Sequence, residues 1–71
     1  MKNYRIYITY NQHSKDDYYH TEKDMTVVEM AKSEYDAYKL GLEYIYEHDL
    51  EKGNIARQIS INIMINKVIN I

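Results

Sequence analysis

Residues 58–71 read QISINIMINKVINI, and isoleucine occupies every second position from Ile59 to Ile65. Successive side chains of a β-strand point to opposite faces of the sheet, so this two-residue period predicts a strand with one buried face. The alternation starts at Ile55, and the intervening even positions hold mostly small or amide side chains. We therefore expect a strand over about residues 56–69, with an isoleucine face against a helix and an amide-rich face toward water or a partner.

Two earlier stretches also have the composition of strands. KNYRIYITY, residues 2–10, alternates between apolar and polar side chains, which predicts a first strand with one buried face. MTVVEMA, residues 25–31, contains adjacent valines and predicts a short second strand, without indicating which valine points inward. Residues 11–24 between them are polar and have no period, so we expect a long mobile connection there.

Residues 33–53, SEYDAYKLGLEYIYEHDLEKG, predict one amphipathic helix with a marked start and end. Ser33 can cap the first turn, and Gly53 can adopt the left-handed conformation that ends a helix. Gly41 costs about 1 kcal/mol relative to alanine inside a helix, and we expect it to allow a close approach of the helix to the sheet. The predicted buried stripe consists of Ala37, Tyr38, Gly41, Leu42 and Ile45.

The order strand, strand, helix, strand predicts a single α+β domain that spans residues 1–71. The first two strands would form an antiparallel hairpin, and a right-handed crossover through the helix would place the last strand beside the first. The sheet, antiparallel or mixed, would then have the order 2-1-3, with one helix on one face. The other face, with Arg5, Tyr7, Asn62 and Met64, would stay open.

The small size of the chain favours association with a partner. A chain of 71 residues buries only about 60% of the surface that its unfolded form exposes. The absence of cysteine excludes disulfides, so a partner chain is a natural source of further stability. The predicted last strand is also longer than the first, and its excess would leave an unpaired edge. We expect a homodimer, and the residues expected to carry it are Asn62, Ile63, Met64 and Ile65.

Composition excludes several classes of function. The net charge is −2 and the basic residues form no cluster, which disfavours direct nucleic-acid binding because phosphate neutralisation dominates that affinity. No apolar run reaches the roughly 20 residues that a membrane span needs. The segment Met1–Arg5 lacks the apolar stretch of a signal peptide, so we expect a cytoplasmic protein.

No residue of the sequence is assigned to catalysis, to a cofactor or to a metal. His13 and His20 share their segment with three aspartates, but the spacing matches neither a zinc site nor a calcium loop. A solvated loop is therefore the favoured interpretation. No serine lies in a nucleophile elbow, and Glu43 and Glu47, one helical turn apart, are typical of a solvated polar face.

Acidic residues and tyrosines are interleaved on the predicted surface, both in DDYYHTEKD, residues 16–24, and on the outer face of the helix. Carboxylates mixed with tyrosines can compete for a basic groove that normally holds a nucleic-acid backbone. Stacking of RNA bases on tyrosines of the open sheet face ranks behind this interpretation. The residues expected to bind a protein partner are Asp16, Asp17, Tyr18, Tyr19, Glu43 and Glu47.

A short strand, the serine-capped helix in MAKSEYDAYKLGLEYIYE and an alternating strand follow one another over residues 25–65. This layout resembles small accessory proteins of bacteriophages and mobile elements, several anti-CRISPR proteins among them. The resemblance implies a non-enzymatic inhibitor that binds a host defence nucleoprotein complex or nuclease in the host cytosol. The alternative is a structural module that associates through its last strand, and the two functions are compatible.

Overall fold

The computed structural model describes residues 1–16 and 18–67 of the chain. In chain order, the elements are β1 (Lys2–His13), β2 (His20–Ala31), α1 (Glu34–His48), a 3₁₀ turn (Leu50–Lys52) and β3 (Ile55–Ile65). Strand β1 lies in the middle of the sheet and pairs with β2 and with β3, in both cases antiparallel. The predicted α+β layout, with sheet order 2-1-3 and one α-helix in this part of the chain, is confirmed.

The hairpin of β1 and β2 is longer than predicted. The two strands stay in register along their whole length, so the connection between them spans only residues 14–19. The expectation of a long mobile connection over residues 11–24 is therefore wrong. The additional pairs join polar side chains, as in Asn11 opposite Glu22, because backbone hydrogen bonds extend a ladder without an apolar period.

The core lies between α1 and the inner face of the sheet. The alternation in β1 is confirmed, because its four even-numbered apolar side chains from Tyr4 to Tyr10 are buried. On β2, Val27 packs against the core and Val28 lies exposed on the open face. The buried apolar residues are Tyr4, Ile6, Ile8, Tyr10, Ala31, Ala37 and Ile45.

Helix α1 begins where the sequence predicts and ends earlier. Ser33 is its N-cap, and the Ser33 hydroxyl accepts a hydrogen bond from the Asp36 backbone N–H at 3.2 Å. The α-helix ends at His48 and not at Gly53, since Asp49 leaves the helical conformation with φ −134° and ψ −55°. Gly53 ends the following 3₁₀ turn in the left-handed conformation, with φ 88°.

The buried stripe of α1 differs from the predicted one. Tyr38 and Leu42 are 41% and 38% exposed, which corrects their assignment to the core. Leu40 and Tyr44 pack against the core in their place, on the side of the helix that borders Glu29 of β2. The stripe residues that are buried as predicted are Ala37, Gly41 and Ile45.

Gly41 brings α1 close to the sheet, as expected. A Cβ atom at this position would lie 3.1 Å from Ile61 Cγ2 and 3.3 Å from Ile6 Cγ2. Carbon atoms in ordinary van der Waals contact are about 3.5–4.0 Å apart, so a larger side chain would push the helix away. The missing side chain therefore sets the distance between helix and sheet.

A β-bulge interrupts β3 and changes which of its residues face the helix. The register with β1 shifts between Thr9 and Asn11, where two residues of β3 face one residue of β1. The first of them, Gln58, has a positive φ of 53°, as the extra residue of a bulge can have. Ahead of the bulge Ala56 packs against the core and Ile55 lies on the open face, so the expected isoleucine face begins only after the bulge.

Strand β3 does not outlast its neighbour. It ends at Ile65 and pairs with β1 on both sides of the bulge, whereas the prediction extended it to about residue 69. One more backbone bond follows, from the Asn66 N–H to the Asn3 carbonyl at 2.9 Å. Within the described residues the expected unpaired overhang is therefore wrong, and residues 68–71 lie outside the description.

Substitution of Gly41 tests the helix–sheet distance. Gly41→Val should lower the free energy of unfolding by about 2–3 kcal/mol, because its branched side chain overpacks the contact with Ile6 and Ile61. Gly41→Ala should change it by less than about 1 kcal/mol, since the gain in helix propensity offsets the tighter contact. Urea unfolding measures both changes. Glu43→Val, on the exposed side of the helix, is the control, and an equal loss of stability there would contradict the interpretation.

Candidate functional site

Among residues 1–16 and 18–67, Asp49 is the buried charged residue, 1% exposed between α1 and the 3₁₀ turn. Its carboxylate accepts hydrogen bonds from the Tyr10 hydroxyl and the Gln12 side-chain amide. The Asn54 side-chain amide donates a third at 3.3 Å, and the Asn54 backbone N–H donates to the Asp49 carbonyl at 3.0 Å. The Asp49 clasp is defined as Tyr10, Gln12, Asp49 and Asn54. It joins the end of the helix to β1 and to the start of β3.

The clasp holds its acid in the charged form. Burial alone would raise the pKa of Asp49, but the hydrogen bonds from its three partners and the positive charge of Lys23 outweigh burial and hold the pKa below its ordinary value. For Tyr10, burial, the hydrogen bond and the carboxylate charge all raise the pKa. At neutral pH Asp49 is therefore a carboxylate and Tyr10 a neutral donor.

A pocket beside the clasp is lined in part by Lys23, His48 and Lys52. Both carboxylate oxygens of Asp49 accept hydrogen bonds from within the fold. The sequence contains one sign of this network. Gln12 continues the inward positions of β1, and a polar side chain on a buried face needs a polar partner.

In the hairpin tip, residues 14–19, the side chain of Ser14 binds the described residues together. The Ser14 hydroxyl donates to Asp16 at 2.8 Å and accepts from the backbone N–H groups of Tyr18 and Tyr19. The hydrogen bond from Ser14, with a second from the Tyr18 N–H, holds the pKa of Asp16 below its ordinary value. The rings of Tyr18 and Tyr19 meet edge to face with 4.7 Å between centroids and are 76% and 70% exposed. Asp17 lies outside the described residues.

Three carboxylates border one cleft between α1 and β2. Glu43 and Glu47, one turn apart on the helix, line it together with Glu29 of β2, Tyr44 and Leu40. The Tyr44 hydroxyl donates a hydrogen bond to Glu29. That bond raises the pKa of Tyr44, and burial and the charges of Glu29 and Glu47 raise it further. The acidic flank is defined as Glu29, Glu43, Tyr44 and Glu47.

The hairpin tip and the acidic flank are separate surfaces. Glu29 pairs with Tyr4 near one end of β1, whereas the tip follows His13 at the other end. Nine residues of strand lie between these two positions, which corresponds to about 30 Å. The structure therefore groups the described partner-binding residues in two sets, with Asp16, Tyr18 and Tyr19 at the tip and Glu43 and Glu47 on the helix.

A row of four exposed side chains lies on the other side of α1. They are Tyr35, Tyr38, Leu42 and Tyr46. Their spacing of three or four residues places them on one helical face. Because the acidic flank borders β2, this row lies above β3, where Ile59 and Ile65 are also exposed. The sequence pattern did not reveal this surface, because periodicity assigned two of its members to the core. The tyrosine flank is defined as Tyr35, Tyr38, Leu42, Tyr46, Ile59 and Ile65.

The four residues predicted for association lie on both faces of β3. The pairing with β1 places Asn62 and Met64 on the open face and Ile63 and Ile65 on the helix side. Tyr7 is the one tyrosine that the described strands place on the open face, and it is half-buried. A single partly covered ring is a small platform for base stacking.

Across residues 1–16 and 18–67, no group of three or more histidine, aspartate or glutamate side chains could hold a metal ion. His13 and His20 face each other where the hairpin strands end, with stacked rings 5.7 Å apart. In the same part of the chain, each helix is too short or too polar to cross a membrane.

The chain matches none of the protein families, curated proteins or solved structures with which it was compared. A proposal about its function therefore has to be argued from its own surfaces. The hairpin tip, the acidic flank and the tyrosine flank are among the surfaces that the structure presents.

Replacement of Asp49 by asparagine tests the clasp. It should lower the free energy of unfolding by about 2 kcal/mol at pH 7, because a charged acceptor is lost from a buried network. The folded-state pKa of Asp49 lies below the unfolded value of about 3.9. The contribution of the carboxylate is thus complete above about pH 4 and disappears as the pH falls through the folded pKa. In urea unfolding, the difference between wild type and Asp49→Asn should therefore shrink on acidification.

The matched control is Asp24→Asn, at an exposed position on β2. Its effect on stability should stay below about 0.5 kcal/mol at pH 7. A stability difference for Asp49→Asn that is the same at neutral and acid pH would show that the carboxylate charge does not stabilise the fold.

Proposed function

We propose that this chain is a non-enzymatic binding protein that occupies a basic surface of a protein partner. The observation that carries the proposal is the acidic flank, where Glu29, Glu43 and Glu47 border one cleft around Tyr44. Carboxylates grouped around an aromatic ring suit a surface rich in arginine. Charge complementarity guides such an association, and tyrosine supplies a large contact area.

The hairpin tip is proposed as a second contact. Tyr18 and Tyr19 are largely exposed, and the hydrogen bonds of Ser14 and Asp16 hold the turn that carries them. A preformed turn loses little conformational entropy on binding, so exposed rings on it make efficient anchors. Asp16 and its neighbour Asp17 complete the proposed contact set at the tip.

A groove that normally binds nucleic acid is the proposed target surface. Such grooves are basic because they neutralise phosphates, and the acidic flank offers a comparable row of negative charge. The same charge repels nucleic acid itself, so the proposed partner is a protein. We assign no catalytic role, because the oxygens of Asp49 are engaged and Glu43 and Glu47 lie exposed on the helix.

The proposed partner class is a nucleoprotein complex or nuclease of a host defence system. The chain would then be an inhibitor encoded by a phage or a mobile element and would act in the host cytosol. This part of the proposal rests on the resemblance of the β-β-α-β layout to anti-CRISPR proteins. The alternative, a structural module that associates through β3, draws on a different surface, the free edge of that strand.

Affinity capture with three baits tests the proposal. The baits are the wild type, the double variant Glu43→Lys with Glu47→Lys, and the control Glu22→Lys with Asp24→Lys. The control makes the same change in net charge at exposed positions of β2 outside the acidic flank. Wild type and control should recover the same nucleic-acid-handling protein in stoichiometric amounts from a nuclease-treated lysate, and the flank variant should bind it at least about tenfold more weakly.

Salt dependence and the hairpin tip provide further checks. Recovery by the wild type should fall as ionic strength rises, because exposed charges are screened. Tyr18→Ala with Tyr19→Ala should also weaken binding if the tip is an anchor. Equal binding by the flank variant and the control, or recovery that requires intact nucleic acid, would refute the proposed function.

A further inference from the structure

Strand β3 forms one edge of the sheet, because β1 borders it on one side and no strand of the described residues borders it on the other. The Asn66 N–H donates to the Asn3 carbonyl of β1, and the direction of backbone groups alternates along an antiparallel ladder. The N–H and C=O groups of Ile61, Ile63 and Ile65 therefore point away from β1, toward the free edge.

This edge lacks the charges with which proteins usually protect an exposed strand. The nine residues of Gln58–Asn66 are all uncharged. Strand β2, at the opposite edge of the sheet, contains Glu22, Lys23, Asp24 and Glu29. The contrast indicates that β2 is protected against pairing with a further strand and that β3 is not.

Two features limit the length of the available edge. The bulge at Gln58 bends β3, and the strand ends seven residues later. Arg57 and Lys67 lie just beyond these limits, where like charges oppose the extension of a self-paired strand. The straight segment Ile59–Ile65 is roughly 24 Å long, and its midpoint is Asn62.

We propose that a second copy of this chain pairs with β3 in antiparallel orientation, about a two-fold axis through Asn62. A two-fold contact between identical segments is self-complementary, so both copies satisfy their free backbone groups at once. Ile61 then lies opposite the partner's Ile63, and Asn62 lies opposite the partner's Asn62. The product is one six-stranded antiparallel sheet with both helices on the same face.

The tyrosine flank covers the junction between the two copies. Paired residues of adjacent strands share a face of the sheet, so the isoleucine rows of the two copies join on the helix side. The two β1 strands lie three strand spacings apart, roughly 14 Å, which brings the helices above them within reach of each other. The exposed side of each helix meets its counterpart through Tyr38, Leu42 and Tyr46.

A stable contact of standard size would bury a definite share of the surface of the chain. A standard interface buries about 800 Å² on each partner, which is about one seventh of the 5449 Å² surface of the chain. The free edge of β3 and the tyrosine flank run along the same side of the molecule and are buried together. The dimer does not involve the acidic flank, which lies above β2, so this inference stands independently of the proposed function.

Amide hydrogen exchange of the wild type, with light scattering on the same samples, tests the proposal. We expect a particle of twice the 8.6 kDa mass of the chain. From micromolar to millimolar protein, the protection of the Ile61, Ile63 and Ile65 amides should rise at least about tenfold. The amides of Asn62 and Met64 point toward β1 and are protected in both states, so they serve as internal references.

A pair of variants separates the two edges of the sheet. Asn62→Lys places like charges face to face on the axis and should weaken the dimer at least about tenfold. Asn62 is exposed on the open face, so the core is left intact. Thr26→Lys is the matched control. Thr26 of β2 and Asn62 of β3 both pair with Tyr7 of β1, so they lie at opposite edges of the sheet at the same level along the strands.

The outcomes are decisive in each case. Retention of the dimer by Thr26→Lys together with its loss in Asn62→Lys would support pairing through β3. A monomer at millimolar concentration would overturn the proposal, as would equal disruption by both variants. A dimer whose Ile61, Ile63 and Ile65 amides exchange as fast as in the monomer would place the contact elsewhere and would also overturn it.

Discussion

The buried carboxylate of Asp49 is the constraint on which the arrangement of this small domain depends. It accepts hydrogen bonds from Tyr10 and Gln12 on β1 and from Asn54 at the start of β3, while its own backbone N–H still bonds to Ile45 in the helix. To leave any of these buried groups unpaired costs more than the hydrogen bond itself contributes. The end of the helix, the hairpin and the last strand are therefore fixed relative to one another by one charged group.

The position of the helix decides which surfaces the molecule offers. Gly41 seats α1 against Ile6 and Ile61, and Tyr44 on one side of the helix bonds to Glu29 of β2. The acidic cleft lies on that side, and a row of exposed tyrosines lies on the other side, above β3. The proposed partner and the proposed second copy can therefore occupy the chain at the same time, because they use opposite sides of one helix.

The sequence predicted the cap of the helix from neighbouring residues alone, and it predicted the order of the strands and the close approach at Gly41 from the periodicity of the elements and the usual handedness of their connections. It could not predict the bulge, since Gln58 is not a residue that usually adopts a positive φ. The exposure of Tyr38 depends on the rotation of the helix over a three-stranded sheet, which is a property of the tertiary structure. The clasp around Asp49 joins segments far apart in sequence, and the inward position of Gln12 was its one local sign.

The central claim, that one clasp holds three segments together, is tested most directly by residue-resolved amide exchange in the wild type and in Asp49→Asn. We expect the last turn of α1, the amides around Gln12 and the start of β3 to lose protection by a common factor in the variant. The amides of Ile6 and Ile8 and the first turns of the helix should keep theirs. A loss confined to the turn that contains Asp49, or an equal loss along the whole chain, would contradict the claim.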